Sequence, residues 1–252
     1  MGKRILVVDD EVVVLGAVTK ALKKTDYVID TAQSAEEALT LLAGTSYDVV
    51  VTDLMLPELS GLQLMECMRD MEVRAETILI TGYPSVQSAL RAKKLGAFEY
   101  VTKPFTRQEL LSVVVRAVRC EKDATSLVTA SSEVPDQLYV IPDHGWARIE
   151  PDRTARIGMA QRFAVAIGGV VDLELPDEDG LVEQGRMCVV VRADDGVEHY
   201  LNAPLSGRIL EVNVKLESDP ELAIREPLGE GWLIRIEPQD EETELENLVR
   251  LS

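Results

Sequence analysis

The chain is poor in the residues that most often announce chemistry. It has two histidines, His144 and His199, with no metal-ligand spacing, so each reads as a structural or surface residue. Its three cysteines, Cys67, Cys120 and Cys188, make neither a zinc pattern nor a disulfide framework, and a reducing cytoplasm is the expected setting. No run approaches the roughly 18 apolar residues that span a bilayer. After Met1-Gly2-Lys3-Arg4 the apolar stretch Ile5–Val8 is too short for a secretion-signal core and lacks a small-residue cleavage site. Positive charge is scarce in one half. Up to Lys122 there are 15 Lys and Arg against 17 Asp and Glu, a net of −2; beyond it there are 11 against 27, a net of −16. Nucleic-acid binding draws on phosphate neutralisation, so no DNA-binding output is expected there, and no membrane partner either.

What remains is enough for two domains: 252 residues, at roughly 100–200 residues per domain. The first half alternates short apolar runs with helical patterns. The runs are Ile5–Val8, Tyr27–Thr31, Asp48–Asp53, Thr77–Ile80 and Phe98–Val101. The helical stretches are Val12–Lys24, Ala35–Ala43, Leu62–Asp70, Val86–Leu95 and Arg107–Lys122. Five of each, in alternation, predict an α/β fold with a five-stranded parallel, doubly wound sheet. Periodicity then fails, and residues 123–137, which include the small, polar Thr129–Asp136, read as a linker. In residues 138–252 the alternating runs Val170–Leu175, Met187–Arg192, Val197–Leu201 and Leu233–Glu237 predict mostly antiparallel β structure. Met159–Ile167, Pro220–Arg225 and Glu241–Leu251 read as helical there. Trp146 and Trp232 read as core.

In a parallel sheet of this kind the functional crevice lies at the carboxyl ends of the strands. Asp9 and Asp10 follow the first run, Asp53 ends the third, Thr81 follows the fourth and Lys103 the fifth. Carboxylates gathered there repel one another, and a hard divalent cation such as Mg²⁺ is their natural counter-charge. Asp53 is then a nucleophile able to form an acyl phosphate, with Lys103 and Thr81 facing the phosphoryl oxygens. This chemistry requires an Asp53 carboxylate that is accessible and close to Asp9 and Asp10.

Four motifs, Val7-Val8-Asp9-Asp10-Glu11, Thr52-Asp53-Leu54-Met55-Leu56-Pro57, Leu79-Ile80-Thr81-Gly82-Tyr83 and Tyr100-Val101-Thr102-Lys103-Pro104-Phe105, resemble those of bacterial response-regulator receiver domains. The resemblance covers about Lys3 to Glu121; Gly82, where many receivers carry alanine, is a mild departure. It implies a flavodoxin-like receiver in which Asp9, Asp10, Asp53 and the Met55 carbonyl hold Mg²⁺. Asp53 takes a phosphoryl group from a sensor histidine kinase, and Lys103 contacts it. Thr81 and Tyr100 form a switch pair, and the Lys103–Pro104 bond is cis. The output face is that of Pro84–Leu95, Phe98–Val101 and Arg107–Val118, with dimerisation through the last receiver helices. It further implies no enzyme activity beyond Mg²⁺-dependent self-phosphorylation and dephosphorylation.

The second half resembles the glycine cleavage system H protein, a lipoyl carrier, through Tyr139–Trp146, Ala155–Gly158, Val171–Pro176, Ala203–Asn213 and Gly229–Ile236. The resemblance implies a lipoyl-like β barrel or sandwich. The carrier needs a lysine at the tip of an exposed hairpin. Here the tip is Arg192-Ala193-Asp194-Asp195-Gly196-Val197-Glu198, and the one lysine after Lys122 is Lys215, outside that hairpin. No lipoate is therefore expected. The acidic Asp194, Asp195 and Glu198 read first as a solvated turn. The expected function is a response regulator whose output is contact with an unidentified protein partner. The alternative is a receiver-gated carrier or adaptor of the glycine cleavage and lipoate system.

Overall fold

The structure, a computed structural model, describes residues 2–23, 25–83, 86–120, 137–141 and 144–251. The linker expected at 123–137 lies outside the described residues except for Gln137. The chain divides into two compact units, Met1–Lys122 and Asp123–Ser252.

The first unit runs β1 (Arg4–Val8), α1 (Val12–Leu22), β2 (Val28–Ala32), α2 (Ala35–Gly44), β3 (Val49–Asp53), α3 (Gly61–Asp70), β4 (Glu76–Thr81), α4 (Val86–Lys94), β5 (Glu99–Thr102) and α5 (Arg107–Arg119). The strands form one parallel sheet in the order β2-β1-β3-β4-β5. Burial on both faces explains why β1, β3 and β4 read as unbroken apolar runs. On one face Ile5, Val7, Val49, Val51, Ile78 and Ile80 pack with α1 and α5 residues such as Leu15, Val18, Leu110 and Val114. On the other, Leu6, Val8 and Val50 pack with Ala35, Ala38, Leu64 and Met68 of α2 and α3. Capping boxes at Ser60/Gln63 and Thr106/Glu109 fix where α3 and α5 begin, satisfying backbone N–H groups that a helix start leaves open.

The second unit contains β6 (Leu138–Val140), β7 (Gly145–Ile149), β8 (Ala155–Met159), α6 (Gln161–Ile167), β9 (Val170–Glu174), β10 (Leu181–Val182), β11 (Met187–Ala193), β12 (Glu198–Asn202), β13 (Gly207–Val212), α7 (Lys215–Ser218), α8 (Leu222–Arg225), β14 (Ile234–Pro238), α9 (Glu241–Leu245) and β15 (Val249–Leu251). A seven-stranded sheet, β10-β13-β14-β8-β7-β6-β15, and a three-stranded sheet, β12-β11-β9, share a core that includes Ile157, Phe163, Val191, Leu201 and Ile236.

Three helical expectations need correction. Met159 ends β8, paired with Gly145, and the helix starts at Gln161 after an extended Ala160. The α8 helix begins at Leu222, two residues after Pro220. The last segment is not one helix: α9 stops at Leu245, and Val249–Leu251 pair antiparallel with β6. That strand is dictated by a partner more than a hundred positions away, which local pattern cannot reveal.

Candidate functional site

Asp9, Asp53, Thr81 and Lys103 meet at the carboxyl edge of the parallel sheet. Lys103 Nζ donates to Asp9 Oδ2 at 2.8 Å and also to Asp53 Oδ2. Each carboxylate is held from its other side by backbone: Glu11 N–H donates to Asp9 Oδ1 at 2.9 Å, and Met55 N–H to Asp53 Oδ1 at 2.8 Å. One ammonium thus bridges two aspartates carried by β1 and β3. Its own position is set by β4, because Lys103 N–H donates to the Thr81 carbonyl at 2.7 Å. The Lys103–Pro104 bond is cis.

Burial makes these charges interact strongly. Asp9 is 3% exposed and Asp53 7%, so the expectation of an accessible Asp53 needs correction: its carboxylate is buried and bonded to Lys103 rather than open to water. Burial raises the Asp9 pKa, with the Asp53 charge adding to the rise, while Lys103 and the Glu11 N–H oppose it. The Lys103 ammonium is pulled down by burial, but the two carboxylates outweigh this and its pKa is raised. Asp10 is exposed at the mouth. Among the described residues no three His, Cys, Asp or Glu side chains are grouped as a ready metal shell, and Lys103 bonds to both Asp9 and Asp53. The donors are nonetheless hard oxygens. Asp9, Asp10 and Asp53 against Lys103 leave a formal charge of −2, which suits a divalent cation.

Thr81 is fully buried, and its hydroxyl accepts the Tyr83 N–H at 3.1 Å. Tyr100, on β5, is half-buried against the Leu54, Leu62, Met65 and Leu79 cluster, and its hydroxyl meets Ser88 Oγ of α4 at 2.8 Å. Val12 and Val13 at the start of α1, Met55 after β3 and Tyr83 after β4 are exposed apolar or aromatic residues.

Two contributors escape sequence reasoning. Gly61 opens α3 directly against β3: a Cβ there would overlap the Asp53 carbonyl oxygen and come within 3.0 Å of Leu79 Cδ2. Its signal is a glycine at a first helical position where any residue has acceptable backbone angles. Ser88 carries no signal in the sequence, because its role rests on a tyrosine from another element.

The hairpin of the second unit is built differently. Its loop is Asp194-Asp195-Gly196, with Gly196 at φ +77 and Ala193 N–H donating to the Val197 carbonyl at 3.0 Å. Asp195 Oδ1 accepts the Val197 N–H at 2.8 Å, so this acid serves its own turn. Arg192 reaches Asp172, Glu174 at 2.9 Å and Glu198 at 3.2 Å across the three-stranded sheet. Lys215 pairs with Glu230, away from the hairpin. His144 and His199 are both buried, with ring centroids 6.1 and 6.4 Å from that of Phe163. Burial pushes the Cys188 thiol up to about 12, leaving it a poor nucleophile. Trp146 is buried and Trp232 packs beside it.

Known proteins match the two units separately. The family described as Response regulator receiver domain matches residues 5–115, and the family described as Glycine cleavage H-protein matches residues 138–252. The glycine cleavage system H protein of Psychrobacter sp. (strain PRwf-1) is 36% identical over 119 residues, 47% of this chain and 92% of its own length. The H protein of Thermus thermophilus is 37% identical over 108 residues, 43% of this chain and 83% of its own. Regulatory protein AtoC of Escherichia coli (strain K12) is 38% identical over 118 residues, 47% of this chain and only 26% of AtoC. A crystal structure of a response regulator receiver domain protein from Clostridium thermocellum shares 34% identity, with 46% of this chain and 94% of that one covered at a TM-score of 0.44. No helix among the described residues is long and apolar enough to cross a membrane. The chain belongs to the glycine cleavage H-protein family through residues 138–252 and carries a response regulator receiver domain over residues 5–115.

Proposed function

We propose that the protein is a two-component response regulator in which Asp53 accepts a phosphoryl group from the phosphohistidine of a sensor histidine kinase. The observation that carries this reading is the Lys103 ammonium shared by two buried carboxylates from separate strand ends. Burying two acids around one cation costs stability. The arrangement is explained if the lysine is held ready for an incoming anion.

In the proposed step an Asp53 carboxylate oxygen forms the O–P bond as the P–N bond of the donor breaks, and the imidazole leaves with its electron pair, protonated from solvent. Lys103 passes from the Asp53 carboxylate to a phosphoryl oxygen, and the Thr81 hydroxyl turns to donate to another. Asp9, Asp10, Asp53 and the Met55 carbonyl are the groups that would hold Mg²⁺, which supplies charge neutralisation at the equatorial oxygens. The exposed Val12, Val13, Met55 and Tyr83 offer the kinase an apolar rim. Thr81 and Tyr100 relay the event to the α4, β5 and α5 surface, where a second copy or another protein docks. In this reading the protein turns over no substrate of its own, and cysteines without a disulfide among the described residues suit the cytoplasm.

The H-protein-like unit then acts by protein contact and carries no lipoate, because its hairpin loop holds Asp194, Asp195 and Gly196 in place of an acylatable amine. Its match over 92% of the Psychrobacter H protein favours an adaptor that presents a carrier's surface to a partner.

Incubating the full chain with acetyl phosphate and Mg²⁺ tests the acceptor. Wild type is expected to be labelled and Asp53→Ala to lose at least about 100-fold of the label, as expected for deletion of a nucleophile. Equal labelling of the two would end the proposal.

A further inference from the structure

The second unit is short of cations, yet three arginines stand in a row across its larger sheet. Arg148 of β7 is opposite Arg156 of β8, and Arg156 is opposite Arg235 of β14. Cross-strand partners share a face, and like charges directly opposite one another cost stability. The outer two are satisfied where they stand. Arg148 donates to Glu150 at 3.0 Å and to the Leu228 carbonyl at 3.3 Å. Arg235 donates to Thr154 Oγ1 at 3.0 Å and to Asp152 at 2.7 Å. The central Arg156 is not. Its Nε is buried without a hydrogen-bond acceptor, and the nearest carboxylate, Glu150, is 3.6 Å away and closer to Arg148. Glu230, whose charge Arg156 also feels, pairs with Lys215. The Arg156 guanidinium lies 5.5 Å from the centroid of the Trp232 ring, with its side chain 37% exposed. Trp146 belongs to the same cluster as Trp232, and its Nε1 is also buried without an acceptor.

We propose that Arg156, backed by Trp232 and flanked by Arg148 and Arg235, is a binding site for a carboxylate monoanion. Buried donors without acceptors call for an acceptor from outside the chain. A guanidinium offers paired N–H groups that match two oxygens of one anion, and an aromatic ring on its flat face leaves that fork free to point outward. The charge around the row selects the class of anion. Glu150, Asp152 and Glu211 balance the three arginines, and the half of the chain that holds them is strongly acidic. A second negative charge on the ligand meets that field with no cation left to offset it. A carboxylate is therefore favoured over a phosphate dianion. The site goes beyond the response-regulator reading and does not depend on Asp53.

The chain has two tryptophans, and both lie in this cluster, so their indole N–H resonances in a ¹H–¹⁵N spectrum of the full chain report the site. Sodium acetate, titrated against sodium chloride at equal ionic strength, is expected to shift the Trp232 resonance along a saturating curve. Inorganic phosphate, at a pH where it is a dianion, is expected to bind more weakly than acetate. Arg156→Gln is expected to weaken acetate binding by about 10- to 100-fold, the loss for hydrogen bonds to a charged group. Arg156→Lys keeps the charge and the stem but not the fork, and is expected to fall between the two. Arg186→Gln, at an exposed arginine outside the row, is expected to bind acetate as wild type does. A shift that does not saturate, that chloride reproduces, or that persists in Arg156→Gln would overturn the site. Tighter binding of phosphate than of acetate would overturn its assignment to a carboxylate.

Discussion

The receiver crevice and the hairpin sheet of the second unit both gather acids around one basic residue, and they could hardly differ more in cost. In the crevice the side chains of Asp9 and Asp53 are 4% and 9% exposed around Lys103. In the sheet Arg192 is 42% exposed, and its partners Asp172 and Glu174 are 54% and 62% exposed. Desolvated charges are expensive unless neutralised, so a fold keeps them where they do chemistry. Solvated ion pairs cost and contribute little. The same composition thus marks a candidate site in one unit and an ordinary surface in the other, and burial tells them apart.

That contrast can be broken or sharpened by substitution. The largest expected change is qualitative. Wild type co-expressed with a lipoate ligase is expected to show no lipoyl increment by intact-mass analysis, and Gly196→Lys to acquire one. A lysine at φ +77 costs about 1 kcal/mol, which the hairpin should tolerate. A lipoylated wild type would restore the carrier reading. Next, Lys103→Met leaves two buried carboxylates without their cation and is expected to cost about 3 kcal/mol of unfolding free energy in chelator. Circular dichroism during urea unfolding measures it. Gly61→Ala forces a methyl into the Asp53 carbonyl and is expected to cost about 2 kcal/mol by the same measurement. Smallest is Arg192→Met, expected to cost less than about 1 kcal/mol. Trp146 and Trp232 both lie in the second unit, so tryptophan fluorescence reports that transition alone. A larger loss for Arg192→Met than for Lys103→Met would invert the comparison.

Most of the receiver is legible in the sequence because its strands are buried on both faces. Runs such as Val49–Val51 leave no other reading, and their ends, where Asp53 and Thr81 sit, follow directly. The second unit is less legible. Met159 sits between a strand and a helix whose boundary depends on pairing with Gly145. The segment Val249–Leu251 owes its strand to Leu138–Val140. In the crevice, charge and strand order place Asp9, Asp53 and Lys103 together. They do not reveal that the lysine spans both acids, that Asp53 lies under it, or that Gly61 and Ser88 shape the neighbourhood. Those facts belong to distances between elements, which a one-dimensional pattern does not encode.

The central claim is that the buried carboxylate at the end of β3 forms the acyl phosphate. Borohydride reduction of the acetyl phosphate-treated full chain, followed by peptide mapping, converts an aspartyl phosphate to homoserine and so reports its position. The account predicts homoserine at position 53 and none at 9 or 10. Homoserine at another aspartate, or phosphate retained on a side chain that borohydride does not reduce, would contradict it.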